Sequence, residues 1–233
     1  MNVNEGITGW KGFIGYHLNN ALPNAILFEG NLHNLAECRR FVKACDRIYH
    51  LAGKNREPDD GKILMNNLVA TGNLILAMAM ENVHPEIIFA SSSQVSLNDR
   101  SEYALTKRIE EDMIRSSLRF IFYRISNVYG PKGRPFYNSV VATFCHQISL
   151  GIPLTINNPD SEREFVFVGD VVDEFVSTKR IGPGGAGKKH IRGENLTVGQ
   201  IAHFLTDGLG EHKNLEKTLK WYKENINVSS PHQ

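Results

Sequence analysis

Gly9-Trp10-Lys11-Gly12-Phe13-Ile14-Gly15 runs directly into Tyr16-His17-Leu18-Asn19-Asn20-Ala21-Leu22. Glycine tolerates close approaches that a side chain forbids, so three glycines spaced by three mark a tight turn. Beyond the turn, Phe13, Ile14, Leu18, Ala21 and Leu22 fall on one helical face, and Pro23-Asn24 ends the helix. A turn that opens a helix offers unpaired N–H groups and the positive end of the helix dipole, which suits a phosphate. The strand before it is weak. Met1-Asn2-Val3-Asn4-Glu5-Gly6-Ile7 carries Asn4 and Glu5, where a central parallel strand is normally apolar throughout.

Outward from this turn, strand and helix alternate. Strands are expected over 25–28, 47–51, 87–90, 120–125 and 165–168. Helices are expected over 35–44, 67–80, 103–118, 138–150, 170–179, 197–209 and 215–225, with Thr197 as an N-cap. Residues 54–62 read as a polar loop, 182–187 as a glycine-rich loop, and the tail after Asn227 as loose. Such alternation predicts an α/β fold: a doubly wound parallel sheet of Rossmann type with a small, partly discontinuous C-terminal substrate-binding lobe. The expected core is 1–130, with 165–180 returning to it, and the lobe is 131–164 plus 181–233.

The chain has 233 residues, a net charge of +1 and a hydrophobic fraction of 41%. These values give a sizeable core, and with no long run of Lys or Arg they disfavour nucleic acid or an anionic membrane as a partner. Cys38, Cys45 and Cys145 are odd in number and lack metal-ligand spacing, so free thiols and no metal site are expected. With no signal-type N-terminus and no apolar run of membrane-spanning length, a cytoplasmic location is expected. The segment 67–80 is apolar on nearly every side, which implies burial from two directions and a homodimer.

Ser91-Ser92-Ser93 closes the strand at 87–90, and Tyr103-Ala104-Leu105-Thr106-Lys107 follows ten residues after Ser93. Tyr103 and Lys107 are four apart and share a helix face. An ammonium beside a phenol favours the phenolate, which brings the group toward proton exchange near neutral pH. A serine hydroxyl aimed at the same oxygen would polarise it. Glu29, near the end of the second strand, is the nearest candidate for a ribose 2′-OH, though another register puts Gly30 or Asn31 there, and His33, Arg39 and Arg40 lie nearby for a 2′-phosphate. NAD and NADP both stay open.

Further stretches fall in a recognisable order. They are Thr8 through Gly15, His50-Leu51-Ala52-Gly53, Asn67 with Thr71, the three serines, Tyr103 with Lys107, Arg124 through Pro131, and Arg163-Glu164-Phe165-Val166 with Asp170-Val171. Together they resemble the extended short-chain dehydrogenases/reductases, the NAD-dependent epimerase/dehydratase family. The resemblance implies an NAD- or NADP-dependent oxidoreductase acting on a nucleotide sugar. Gly9, Gly12, Phe13, Ile14, Gly15, Glu29, Leu51, Ala52, Gly53 and Asn67 would hold the cofactor together with Tyr103 and Lys107. Ser93, Tyr103 and Lys107 would be catalytic, and Ser93, Gln94, Asn127, Asn138 and Arg163 would face the substrate.

Within the family the likeness is greatest to capsular-polysaccharide reductases of UDP-linked 4-keto sugars, through the short Ser93–Tyr103 spacing and Pro135 through Cys145. Those enzymes carry a further cupin-type domain. Since the sequence ends at Gln233, that domain is expected to be missing. Family dehydratases place an Asp-Glu pair where Gln94 and Val95 stand, so dehydration is disfavoured. The expected reaction is reduction of the 4-keto group of a UDP- or dTDP-linked deoxy sugar in surface-polysaccharide precursor synthesis. The alternatives are 4-epimerisation and a non-catalytic cofactor-binding sensor.

Overall fold

The computed structural model describes residues 3–55, 62–96, 99–208 and 210–225. Most of the expected polar loop at 54–62, and the tail after Asn227, lie outside the described residues. The chain forms two compact units, 1–125 with 172–191, and 126–171 with 192–233.

The first unit is built on a six-stranded sheet. Its strands are β1 (Glu5–Thr8), β2 (Ile26–Leu27), β3 (Arg47–His50), β4 (Glu86–Ser92) and β5 (Phe120–Ile125). After β6 (Asn127–Tyr129) and β7 (Glu162–Phe167), which belong to the second unit, β8 (Ala186–Ile191) returns to this sheet. The order is β2-β1-β3-β4-β5-β8, and every pairing is parallel. The expected parallel α/β sheet is therefore present.

The weak first strand is resolved by its start. Only Gly6, Ile7 and Thr8 lie in the buried run, while the Glu5 carboxylate accepts a hydrogen bond from the Tyr49 hydroxyl at 2.9 Å. Residues 181–191 were expected in the lobe. Instead, 186–191 supply the sixth strand. The exposed Lys188, Lys189 and His190 hide a strand signal because an edge strand needs only partial burial.

The helices of this unit are α1 (Phe13–Ala21), α2 (Leu35–Ala44), α3 (Lys62–Glu81), α4 (Glu102–Ile114) and the second half of α6 (Val168–Val176); α5 (Val140–Ser149) lies in the other unit. Because side chains alternate along a strand, β3 and β4 bury both faces. Ile48, Ile87 and Phe89 join Cys38, Phe41, Leu74 and Ala77 in one core, while Tyr49 packs on Phe175 of α6. The helix expected at 103–118 ends early, because the Ser116 and Ser117 hydroxyls turn back to carbonyls at Met113 and Ile114.

The helix α3 is longer than expected, and its segment Ile63–Glu81 is apolar and long enough to cross a membrane by length and composition. That corrects the expectation that no run reaches this length. Leu74 and Ala77 are fully buried in the sheet core, so this helix packs as part of the folded unit. Met65, Leu76 and Met80 stay exposed on its other side.

At the opposite end of the sheet from the glycine turn, Glu86 is fully buried among cations. Arg47 donates to it at 2.8 Å, Arg180 at 3.0 Å, and the Ile181 N–H at 2.9 Å. Removing one partner of a buried pair leaves the other charge stranded. Glu86→Ala should therefore destabilise the protein by about 3–5 kcal/mol, read as a lower urea midpoint at unchanged slope.

The second unit holds a three-stranded sheet, β6-β7-β9, with β9 (Glu194–Thr197) antiparallel to β7. It also holds α5, α7 (Val198–Asp207) and α8 (Lys213–Glu224). Thr197 caps α7 in a capping box with Gln200, as its position implied. Val141, Phe144, Ile201, Leu205 and Leu219 are buried, and Tyr222 donates its hydroxyl proton to the Gly133 carbonyl.

Candidate active site

Thr8, His50, Phe89 and Phe122 stand in one row across the sheet, with Thr8 and His50 at the carboxyl ends of their strands. The glycine turn leaves β1 from this row. Gly9 has φ +69°, and a Cβ there would lie 2.5 Å from the Ala52 nitrogen. A Cβ on Gly15 would lie 2.2 Å from the Gly9 carbonyl oxygen. Turn, helix and the loop after β3 therefore meet at backbone contact. Gly12 is the N-cap of α1 and no side chain caps that end. The first N–H groups of the helix thus remain available to an anion, and the turn fits the pyrophosphate of a dinucleotide. Phe13 and Ile14 begin the helix, half-buried.

The loop after β3 is pinned from both sides. The Leu51 and Ala52 N–H groups donate to Thr8 Oγ1 at 3.2 and 3.3 Å. Asn67 of α3 accepts from the Lys54 N–H and donates to the Lys54 carbonyl, both at 2.8 Å. Glu29 is exposed beyond β2, on a cleft of about 340 Å³ lined also by Gly30, Glu37 and Arg40. Of the cations near it, Arg39 pairs with Glu81, and His33 Nε2 lies 3.2 Å from the Asn66 carbonyl.

The three serines divide their tasks. Ser91 donates to Glu111 at 2.6 Å, and Glu111 is in turn gripped by Arg124 through two nitrogens at 3.1 and 2.9 Å. Ser92 accepts from the Gln94 N–H at 3.2 Å. Ser93 opens a 3-10 turn over Ser93–Ser96 and is half-buried, as is Gln94. Ser101 caps α4 by accepting from the Ala104 N–H, so Tyr103 sits in the first turn and Lys107 one turn later.

Lys107 is buried, with Nζ 6.0 Å from the Tyr103 ring centroid, 4.4 Å from that of Phe89 and 3.1 Å from Glu110 Oε2. Burial pulls its pKa down, yet the charge of Glu110, followed by Tyr103, raises it on balance. A Cβ on Gly53 would lie 3.5 Å from Lys107 Nζ, which brings the pinned loop beside the ammonium. One unit therefore gathers the glycine turn, the 51–53 loop, Asn67, Tyr103 and Lys107.

Asn127, Asn138 and Arg163 lie in the second unit and are exposed; Asn127 donates to the Glu164 carbonyl, and Arg163 Nε lies 3.4 Å from Ser161 Oγ. Sequence reasoning missed Thr8, Glu110 and Glu111 as site residues. The available signal was a polar side chain facing inward from an otherwise apolar element. His50 carries the same signal, and burial together with the nearby Lys107 charge holds its pKa down to about 3. In the unfolded chain it titrates at about 6.5. The unfolded state then binds the extra proton as pH falls below that value, so His50 stabilises the fold above it and this contribution is lost toward pH 3. The loss should be about 1.4 kcal/mol per pH unit. His50→Gln should flatten the acid limb of a stability–pH curve by one proton relative to the parent.

A doubly wound sheet with a glycine turn and a Tyr–Lys helix defines a dinucleotide-dependent class of α/β protein. Residues 6–178 match the model of the NAD dependent epimerase/dehydratase family, and the chain belongs to that family. It is 31% identical over 222 residues to UDP-2-acetamido-2,6-beta-L-arabino-hexul-4-ose reductase of Pseudomonas aeruginosa, covering 90% of this chain and 58% of that protein. The chain thus spans little more than half the length of that curated relative. Among solved structures it resembles the capsular polysaccharide assembling protein CapF of Staphylococcus aureus, with TM-score 0.74 and 24% identity over 98% of this chain and 68% of that one. It also resembles Bordetella bronchiseptica WbmF in complex with NAD+, with TM-score 0.82 and 20% identity over 98% and 94%.

Proposed function

We propose that the chain binds NAD or NADP along the glycine turn and reduces the 4-keto group of a UDP- or dTDP-linked deoxy sugar. Surface-polysaccharide precursor synthesis is the setting this reading favours. The observation that carries it is Lys107 beside the pinned 51–53 loop and one turn after Tyr103, in the unit that holds the glycine turn. When bound, the reduced nicotinamide supplies the hydride, which goes to the carbonyl carbon. Tyr103 gives its phenolic proton to the oxygen, leaving an alcohol, and Lys107 stabilises the resulting phenolate. Ser93 donates a hydrogen bond to the same oxygen as negative charge develops. Gln94 and Val95 offer no acid or base, which speaks against dehydration.

Asn127, Asn138 and Arg163 are proposed to meet the nucleotide-sugar diphosphate and sugar. The likeness to the Pseudomonas aeruginosa UDP-2-acetamido-2,6-beta-L-arabino-hexul-4-ose reductase supports reduction. The Thermotoga maritima UDP-glucose 4-epimerase fold supports the second reading, 4-epimerisation. Met65, Leu76 and Met80 of α3 and Leu105 of α4 are exposed apolar side chains, which suits a homodimer, and three buried free thiols suit a cytoplasmic setting.

The test supplies purified protein with NADH or NADPH and a UDP-4-keto-6-deoxy sugar. A reductase oxidises one equivalent of reduced cofactor per sugar alcohol formed. An epimerase given the corresponding UDP-4-hydroxy sugar interconverts the C4 configuration with no net change in cofactor. Cofactor binding without either product would leave the sensor reading and overturn both.

A further inference from the structure

Behind the Tyr–Lys pair runs a connected line of buried polar groups. Thr8, His50, Thr71 and Glu110 are each fully buried, and each comes from a different element: β1, β3, α3 and α4. Thr8 Oγ1 lies 2.8 Å from His50 Nδ1, and His50 Nε2 lies 2.9 Å from Thr71 Oγ1. Thr71 donates to Glu110 Oε1 at 2.7 Å, and Glu110 Oε2 faces Lys107 Nζ at 3.1 Å.

The proton directions follow from the far end. A hydroxyl has one proton to give. Thr71 gives its proton to the carboxylate, so it accepts from His50, and His50 must carry its proton on Nε2. A neutral imidazole then accepts at Nδ1, so Thr8 donates there. The Thr8 lone pairs are left to accept the Leu51 and Ala52 N–H groups. Every donor in the line points the same way, from the loop beside the glycine turn toward Glu110.

We propose that Glu110 is a positioning residue that anchors Lys107 against Tyr103 at the end of this one-way chain and ties it to the 51–53 loop. The proposal rests on reading Tyr103 and Lys107 as the proton-transfer pair. Taking a lone ammonium out of water is costly, and Glu110 supplies the charge that lets Lys107 stay both buried and protonated. The charged or titratable groups facing Lys107 are Glu110, Glu111 and Tyr103 on α4 and His50 on β3. Glu111 is already held by Arg124 and Ser91, which leaves Glu110 as the near counter-ion.

Glu110→Gln keeps the size and an acceptor for Thr71 but removes the charge. Loss of the partner makes Lys107 easier to deprotonate, so the ammonium on which the proton transfer relies is lost at a lower pH. The alkaline limb of the turnover profile should move down by about one pH unit. Glu110→Asp, which keeps the charge, should restore most of that shift. Thr71→Val removes the donor to Glu110 and should move the limb the same way by less.

The unmodified protein provides a readout independent of activity. Nitrogen-15 histidine spectra should show His50 as the neutral Nε2–H tautomer throughout pH 5–8, the range about neutrality where an ordinary histidine titrates. A His50 signal in the Nδ1–H form reverses the chain and overturns the proposal. So does a parental alkaline limb in Glu110→Gln. If Tyr103→Phe keeps parental turnover, the underlying catalytic reading fails instead, whatever Glu110 does.

Discussion

Tyr103→Phe is expected to lower turnover by about 10²–10⁴-fold, far more than it weakens cofactor binding. The change removes one hydroxyl from a half-buried ring and leaves α4, its Ser101 cap and the Lys107–Glu110 pair in place. In the proposed mechanism Ser93 polarises the carbonyl oxygen but supplies no proton source near neutral pH, since an alcohol is far weaker as an acid than a phenol. The alkoxide formed by hydride addition would then lack its proton donor. The same loss is expected of an epimerase, whose first half-reaction runs the proton transfer in reverse. The experiment compares single-turnover rates at saturating sugar with cofactor affinity measured by fluorescence quenching. Equal rates in the two proteins would end the assignment of Tyr103.

Gly15→Val should remove activity by a different route. Any Cβ at this position meets the Gly9 carbonyl at 2.2 Å and the Trp10 Cα at 2.7 Å, both backbone, so no side chain can swing away. The turn must open or α1 must shift. An ångström-scale displacement of the pyrophosphate cradle should cost about 100-fold in kcat/KM. Overpacking should also cost about 1–3 kcal/mol in stability. Gly182→Val is the matched control: a Cβ there meets nothing within 4 Å, and neither quantity should change. If Gly15→Val binds NADH and NADPH as the parent does, the turn is not the cofactor cradle.

The sheet was legible because its central strands bury both faces. Residues 87–90 and 120–123 are apolar enough on each side to read as strands without any tertiary knowledge. Where burial is one-sided, the reading faltered. The strand β8 shows Lys188, Lys189 and His190 to solvent, and β9 shows Glu194 and Asn195, so neither carries a continuous apolar run. The ends of helices slipped where serines reach back to carbonyls, as at Ser116 and Ser117.

In the site, Tyr103 and Lys107 were visible because they lie one turn apart on one element. Thr8, Thr71 and Glu110 meet only after β1, α3 and α4 have packed, and no spacing along the chain records that meeting. The three serines were visible as a group, yet their division between Glu111, the turn and the candidate substrate oxygen depends on which way each faces once β4 is in the sheet.

The late arrival of β8 has a consequence for how the chain is made. Five strands of the first sheet are complete in sequence by Ile125, but the sixth waits until the whole 126–171 stretch has been synthesised. Until then the outer edge of β5 has no partner, and an unpaired edge invites the wrong one. The same late segment brings Arg180 and the Ile181 N–H to the buried Glu86, and the Thr178 carbonyl to Arg47. A nascent chain halted after β5 would hold a carboxylate with only part of its cationic shell. The first unit is thus sealed from the far side of its own insertion, and its final stability is reached only after the ribosome has passed residue 191.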